Sequence, residues 1–286
     1  MSHAEGLTLM RLENATFADQ YLHWQNITTV TSQHHQVAIC GLMNAGKSSL
    51  LNMLTGQPEH EYFPTGASRT TDEVKSFTNS NIDWIDTPGI DACIQDDLTA
   101  WRSILRADTI IFTHTLRTGI LEKIEIDFLN KLLQHLPDLE QRLLVVLTHA
   151  DSVEEHKDES VNSITQLLER EFPSQPPLFV TSSSRFKKGS LTKKENMIRL
   201  SGINQLLTAV QSRASASEAT LLEKRARDKA QLHQKLEAAI NVAIEYRENI
   251  INVLKDEQKK NEMAYRADAR CLLNSLRQRI IAGKNI

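Results

Sequence analysis

Cysteine is scarce in this sequence, and what there is comes in an odd number. Cys40, Cys93 and Cys271 are the 3 cysteines of a 286-residue chain. They are too few and too far apart for a disulfide framework or a cysteine metal cluster, and they fit a reducing compartment. No apolar run approaches the roughly 20 residues that a membrane-spanning helix needs. The N-terminus also lacks a cationic stretch followed by an apolar core, so no secretory leader is expected. Charge of one sign is missing too. The 33 Lys and Arg against 36 Asp and Glu leave a formal net charge of −3, which gives no whole-molecule attraction to nucleic acid or anionic lipid. Finally, residues 203–282 contain neither glycine nor proline, which argues for long helix there. A cytoplasmic protein is expected, with peripheral attachment at the inner face of a membrane as the variant.

What the chain does have is a phosphate-binding signature. Gly41-Leu42-Met43-Asn44-Ala45-Gly46-Lys47-Ser48 satisfies G-x-x-x-x-G-K-[ST], a loop that wraps a nucleoside triphosphate. Its glycines let backbone N–H groups curl inward as a nest around a phosphate, and the helix that follows directs its positive end at the same place. The candidate cradle is Gly41, Met43, Asn44, Ala45, Gly46, Lys47, Ser48 and Ser49. Lys47 is placed to reach the β- and γ-phosphates, and the Ser48 hydroxyl to ligate Mg2+. The context agrees: Gln36–Cys40 reads as a buried strand and Ser49–Leu54 as the opening of a helix.

Further pieces follow in order. Asp86-Thr87-Pro88-Gly89 closes a strand-like run; its carboxylate suits a water-mediated Mg2+ contact and the Gly89 N–H a contact to the γ-phosphate. Between the two lies Phe63–Thr71, where Thr71 is the first candidate and Thr70 the second for completing the Mg2+ shell. Arg142–Leu147 is another buried strand and ends in Thr148-His149-Ala150-Asp151. A carboxylate at Asp151 can accept from a guanine ring N–H and its exocyclic amine, whereas adenine presents the wrong edge. Ser182 and Ser183 follow the strand at 177–181 and are candidates for contacting the base. His34 and His35 read as loop polarity, and Arg69 and Arg117 as unpaired surface arginines.

Strand candidates are 36–40, 73–78, 81–86, 108–114, 142–148 and 177–181, with an antiparallel hairpin at Asn79-Ser80. Helix candidates are 47–55, 93–106, 120–136, 158–171 and one starting near Ile203. The alternation predicts an α/β domain over 34–212 with a mostly parallel, mixed sheet and helices on both faces. An amphipathic helix is expected within 1–33, packing on long helices in 213–286 to form a bundle. The C-terminal segment is expected to break near Ser215–Ser217 or to turn back near Lys255–Glu262, with Leu232, Leu236, Ile240, Ile244, Leu254, Leu272 and Ile280 forming the bundle seam. It carries 15 Lys and Arg against 10 Asp and Glu, read as a solvated helical face.

Taken together, residues 36–210 resemble a Ras-like GTPase domain of the translation-factor-related P-loop superclass, which holds Ras-like, ribosome-assembly and dynamin GTPases. Gly41–Ser48, Thr71, Asp86–Gly89, Thr148–Asp151 and Thr181–Ser183 match its five motifs in order. His149 stands where the family usually has lysine, as in the septin-like chloroplast import receptors. The resemblance implies GTP and GDP as ligands, Mg2+ as cofactor, and hydrolysis of GTP with Lys47, Ser48, Thr71, Asn44 and Gly89 at the reacting end. Asn44 matches an asparagine that in some branches holds a potassium ion, and Ile90 stands where Ras-like enzymes place a water-orienting glutamine. A slow basal rate follows, raised by K+, by a homodimer across the nucleotide face, or by a dynamin-like partner subunit. The flanking helices resemble dynamin-like proteins, although about 75 residues are short for a full stalk and membrane tip, so membrane association lacks a tip segment to carry it. A ribosome-assembly GTPase, with RNA or ribosome as partner, and a nucleotide-binding scaffold with negligible turnover are the alternatives.

Overall fold

The computed structural model describes residues 34–65, 74–93, 98–136, 138–215 and 218–283. Val37 and Ile39 of the first strand lie in one hydrophobic cluster and Ala38 and Cys40 in another, all four with no exposed surface. Successive side chains of a strand face opposite sides of a sheet, so this strand is covered on both faces. The same split separates Ile111 from Ile110 and Phe112, and Leu144 and Val146 from Leu143, Val145 and Leu147. Near-continuous apolar strands of this kind belong to a parallel sheet with helices on either side.

The elements run β1 (His35–Gly41), α1 (Lys47–Leu54), β2 (Lys75–Asn79), β3 (Ile82–Asp86), α2 (Ile90–Cys93), α3 (Leu98–Arg106), β4 (Thr109–Thr115), α4 (Lys123–His135), α5 (Leu139–Arg142), β5 (Leu143–Thr148), α6 (Lys157–Glu171), β6 (Leu178–Val180), α7 (Ser183–Leu191), α8 (Glu195–Leu200), α9 (Ile203–Ala214) and α10 (Glu218–Gly283). The six strands take the order β2-β3-β1-β4-β5-β6. Only the β2–β3 pairing is antiparallel. Strand β1 therefore sits where the winding reverses, and in such sheets ligands bind beyond the carboxyl ends of the strands at that point.

Several expectations need correction. The helix foreseen over 93–106 is described as helix at Leu98–Arg106, with a further helical turn at Ile90–Cys93, and residues 94–97 lie outside the described residues. The run Ser182–Ser184 opens a helix that the sequence did not suggest: Ser182 caps α7 by accepting from the Arg185 N–H at 3.0 Å. The long C-terminal helix does not turn back near Lys255–Glu262. It runs unbroken for 66 residues from Glu218, as expected of a stretch without glycine or proline. Of the positions foreseen as its bundle seam, Leu236 is buried, whereas Ile240, Ile244, Leu254, Leu272 and Ile280 are exposed, and the segment 1–33 foreseen to cover them lies outside the described residues. By density of contacts the chain divides between Ala230 and Gln231.

The first turns of α10 fall before that division and are tied to the base of the sheet. The Arg225 guanidinium donates to Asp108 Oδ2 at 2.6 Å and to the His34 carbonyl at 3.0 Å. Arg142, the last residue of α5, donates to Asp138 at 2.6 Å and Asp228 at 2.7 Å. No helix among the described residues is long and apolar enough to cross a membrane.

Candidate functional site

The site is built at the carboxyl edge of β1, β3, β4 and β5. Strand β1 ends at Gly41, with φ of +150°. A Cβ there would lie 2.3 Å from both the carbonyl and the hydroxyl oxygen of Thr113 on β4, so the two strands close only around a glycine. Asn44 and Gly46 then adopt left-handed conformations, at φ of 61° and 81°, and turn the chain into α1. Asparagine tolerates this region better than most residues, which gives Asn44 a backbone role independent of any cation. The Lys47 ammonium donates to the carbonyls of Gly41 at 3.1 Å and Leu42 at 2.8 Å, which holds it across the loop. Met43 and Asn44 are exposed, Ala45 is buried, and Ser48 and Ser49 open the helix half-buried.

Asp86 ends β3 with no exposed surface. Its Oδ2 accepts from the Ser48 hydroxyl at 2.8 Å, while Oδ1 is buried without a hydrogen-bond partner. Burial pushes this carboxyl above its ordinary range, against the opposing pull of the Ser48 hydrogen bond and the Lys47 ammonium. A buried carboxylate oxygen lacking a donor, beside a serine hydroxyl, is a hard-oxygen set that suits Mg2+. The adjoining Thr87 hydroxyl donates to the Ile39 carbonyl at 2.7 Å and fixes the turn. Gly89 faces the phosphate loop so closely that a Cβ on it would come within 3.0 Å of the Met43 nitrogen. Ile90, the residue after it, is fully buried in the core. Thr70, Thr71 and Arg69 lie outside the described residues.

The other end of the site is assembled by β5 and β6. The Thr148 hydroxyl donates to the Ala45 carbonyl at 2.9 Å, joining this edge directly to the phosphate loop. His149 is left-handed at φ of 57°, and its Cε1 would meet a Cβ on Gly46 at 3.1 Å. Its Nδ1 lies 3.0 Å from the Thr148 hydroxyl and 3.1 Å from that of Thr115. Burial, then the Arg117 charge, lower its pKa against the opposing Asp151, so unlike a lysine it brings no fixed charge to this position. Asp151 accepts from the Ser182 hydroxyl on Oδ1 at 2.5 Å and from Ser184 on Oδ2 at 2.6 Å. Burial raises the Asp151 carboxyl, but the Ser182 and Ser184 hydrogen bonds, with a backbone hydrogen bond and the His149 charge, together carry the net shift downward. A carboxylate oxygen can accept more than one donor, so these contacts do not by themselves close the group to a bidentate donor. Ser183 sits between the two serines as the first residue of α7.

Sequence reading missed four participants. Ser184 was not separated from its neighbours, although its place at the start of a helix is what brings it to Asp151. Asp91 accepts from the Met43 N–H at 3.1 Å. Thr115 contacts His149. Fully buried His114 on β4 has Nδ1 2.9 Å from Glu125 Oε2 and Nε2 3.1 Å from the Gly119 carbonyl, bracing the loop beside Thr148. No spacing rule couples a strand histidine to a glutamate one loop later. His35 is no loop residue: it is buried in β1 with Nε2 2.9 Å from the Thr109 hydroxyl, and His34 pairs with Asp83 at 3.0 Å. Among the described residues no group of three His, Cys, Asp or Glu could hold a metal ion. Arg117 is held by Ser152, with Nη2 donating at 3.0 Å.

A phosphate loop at the switch point of a doubly wound sheet, with a carboxylate beneath it, defines a P-loop nucleotide-binding domain. Residues 36–149 match the model of the 50S ribosome-binding GTPase family, and the chain thus carries a P-loop GTPase domain. An uncharacterized protein of Acinetobacter baylyi is 29% identical over 194 residues, covering 66% of this chain and 44% of that protein. The bacterial dynamin GTPase LeoA from ETEC superposes with a TM-score of 0.52 at 17% identity, covering 82% of this chain and 49% of that one. Toc33 from Arabidopsis thaliana, solved with GDP and Mg2+, gives a TM-score of 0.47 at 17% identity over 71% of this chain and 93% of that one. The chain thus spans less than half the length of the Acinetobacter relative and about half that of LeoA.

Proposed function

We propose that this chain binds GTP with Mg2+ and hydrolyses it slowly on its own, as a dynamin-like switch. Asp86 carries the reading, since a buried carboxylate with one oxygen on Ser48 and the other without a donor is costly unless a cation completes it. Ser48 would hold Mg2+ directly, Asp86 through water, and Thr71 would complete the set. The ion supplies charge neutralisation at the β- and γ-phosphates. Lys47 and the backbone of Met43–Ser49 hold the phosphates, Gly89 meets the terminal one, and Asp151 with Ser182 and Ser183 reads the guanine edge. Thr148 and His149 tie the base end to the loop. Ile90 lies in the core and offers no group to orient a water, which supports a slow basal rate. Help would come from K+ held at Asn44, from a second copy across the nucleotide face, or from a dynamin-like partner subunit. The proposed division is a GTPase domain at 34–212 flanked by helical segments 1–33 and 213–286, acting in the cytoplasm or at the inner face of a membrane.

The family description of the match over 36–149 favours a second reading, a ribosome-associated GTPase. GTP turnover measured against protein concentration, in potassium and in sodium, tests the first. Specific activity that climbs with concentration or with potassium supports it. Fast turnover in dilute sodium buffer sinks the slow-switch mechanism. Salt-sensitive co-migration with ribosomal subunits favours the second reading, and tight binding without turnover in either buffer favours a scaffold.

A further inference from the structure

Asp91 makes a contact that none of these roles uses. Its Oδ1 accepts the Met43 N–H at 3.1 Å, and the same oxygen lies 2.3 Å from where a Cβ on Gly89 would stand. The Met43 nitrogen is itself 3.0 Å from that point. One carboxylate oxygen therefore fills the notch between the phosphate loop and the Asp86–Gly89 turn. It is anionic and accepts from a backbone amide, as a phosphate oxygen would. A side chain at position 89 would occupy the same space, so Gly89 is what admits it.

We propose that Asp91 stands in for the γ-phosphate and sets how this chain discriminates GTP from GDP, a proposal that rests on the nucleotide-site reading above. GDP ends at the β-phosphate and leaves the carboxylate on Met43. GTP brings a third phosphate of like charge to the same notch, so Asp91 must leave the amide before the triphosphate seats. Lost hydrogen bond and like-charge repulsion then act against GTP alone, which is how selectivity is built by penalising one ligand. Ile90 is anchored in the core, so the displaced carboxylate must swing about its own side chain or draw α2 with it.

Two substitutions separate charge from hydrogen bonding. Asp91→Asn keeps the shape and an acceptor oxygen but no charge, and Asp91→Ala removes both. Dissociation constants for GDP and for GMPPNP, with Mg2+, are to be measured by calorimetry on the full chain and both variants. The affinity for GMPPNP relative to GDP is expected to rise about tenfold in Asp91→Ala and roughly threefold in Asp91→Asn. An unchanged ratio, or two affinities moving together as a structural defect would make them, overturns the proposal while leaving the nucleotide site standing. Failure of the unaltered chain to bind GDP overturns the nucleotide-site reading and this one with it.

Discussion

At the scale of single residues, the site is held in a state that burial alone disfavours. Asp86 is fully buried with one oxygen lacking a donor, and its pKa is raised by that burial. The folded chain therefore binds this proton more tightly than the unfolded chain does. Stability from this group rises as pH falls through the raised value and stops rising below the ordinary carboxylate value. Asp86→Asn should remove that segment of the pH profile and stabilise the free chain at neutral pH by about 1 kcal/mol, the trade expected where a site sacrifices stability for binding. The same variant should lose Mg2+-dependent nucleotide binding, so denaturation and binding titration should move in opposite directions. Gly41 shows the reverse case, where function and packing agree. A methyl group at 41 would collide with the backbone of β4, and Gly41→Ala should cost about 3 kcal/mol in urea denaturation while also closing the loop.

At the scale of elements, the strands were legible because both-face burial writes itself as continuous apolar runs, and all six appear within a few residues of expectation. Helices α5, α7 and α8 were not. They are 4, 9 and 6 residues long, too short for a helical period to declare itself, and α7 opens with a serine run that reads as a turn. The phosphate loop could be read from spacing alone because its chemistry is local. The Asp151–Ser184 and Thr148–Ala45 contacts could not, since they depend on β5 and β6 lying side by side and on the loop reaching across. The same applies to the anchor of α10. Asp108, almost fully buried, takes a two-point contact from Arg225, 117 residues away in sequence. Arg225→Ala should strand that carboxylate and cost about 3 kcal/mol, because a buried ion pair broken on one side leaves an uncompensated charge. Adding Asp108→Leu to that variant should recover much of the loss in the same denaturation assay. If the double variant is no more stable than Arg225→Ala, the pair is not what holds the helix there.

At the scale of the whole molecule, these anchors bear on where the GTPase domain ends. A boundary at 212, natural from the sequence, would discard Arg213, which donates to the carbonyls of Arg142 at 2.8 Å and Leu143 at 3.3 Å. It would also discard Arg225 and Asp228 with their partners Asp108 and Arg142. The break in contact density falls later, between Ala230 and Gln231. Every residue placed at the nucleotide site lies before either boundary, so chemistry alone does not choose between them. Stability does. A chain ended after Ala230 keeps both ion pairs and should unfold in one transition with nucleotide affinity intact. A chain ended after Ser212 leaves Asp108 and Arg142 each missing a partner at the base of the sheet. Its melting temperature should fall by roughly 10 °C relative to the longer piece, the shift that about 3 kcal/mol produces in a domain of this size. Calorimetry on the two pieces decides it. Equal melting temperatures would place the boundary at 212 and make the first turns of α10 a passive linker, whereas the expected gap makes them part of the domain that binds the nucleotide.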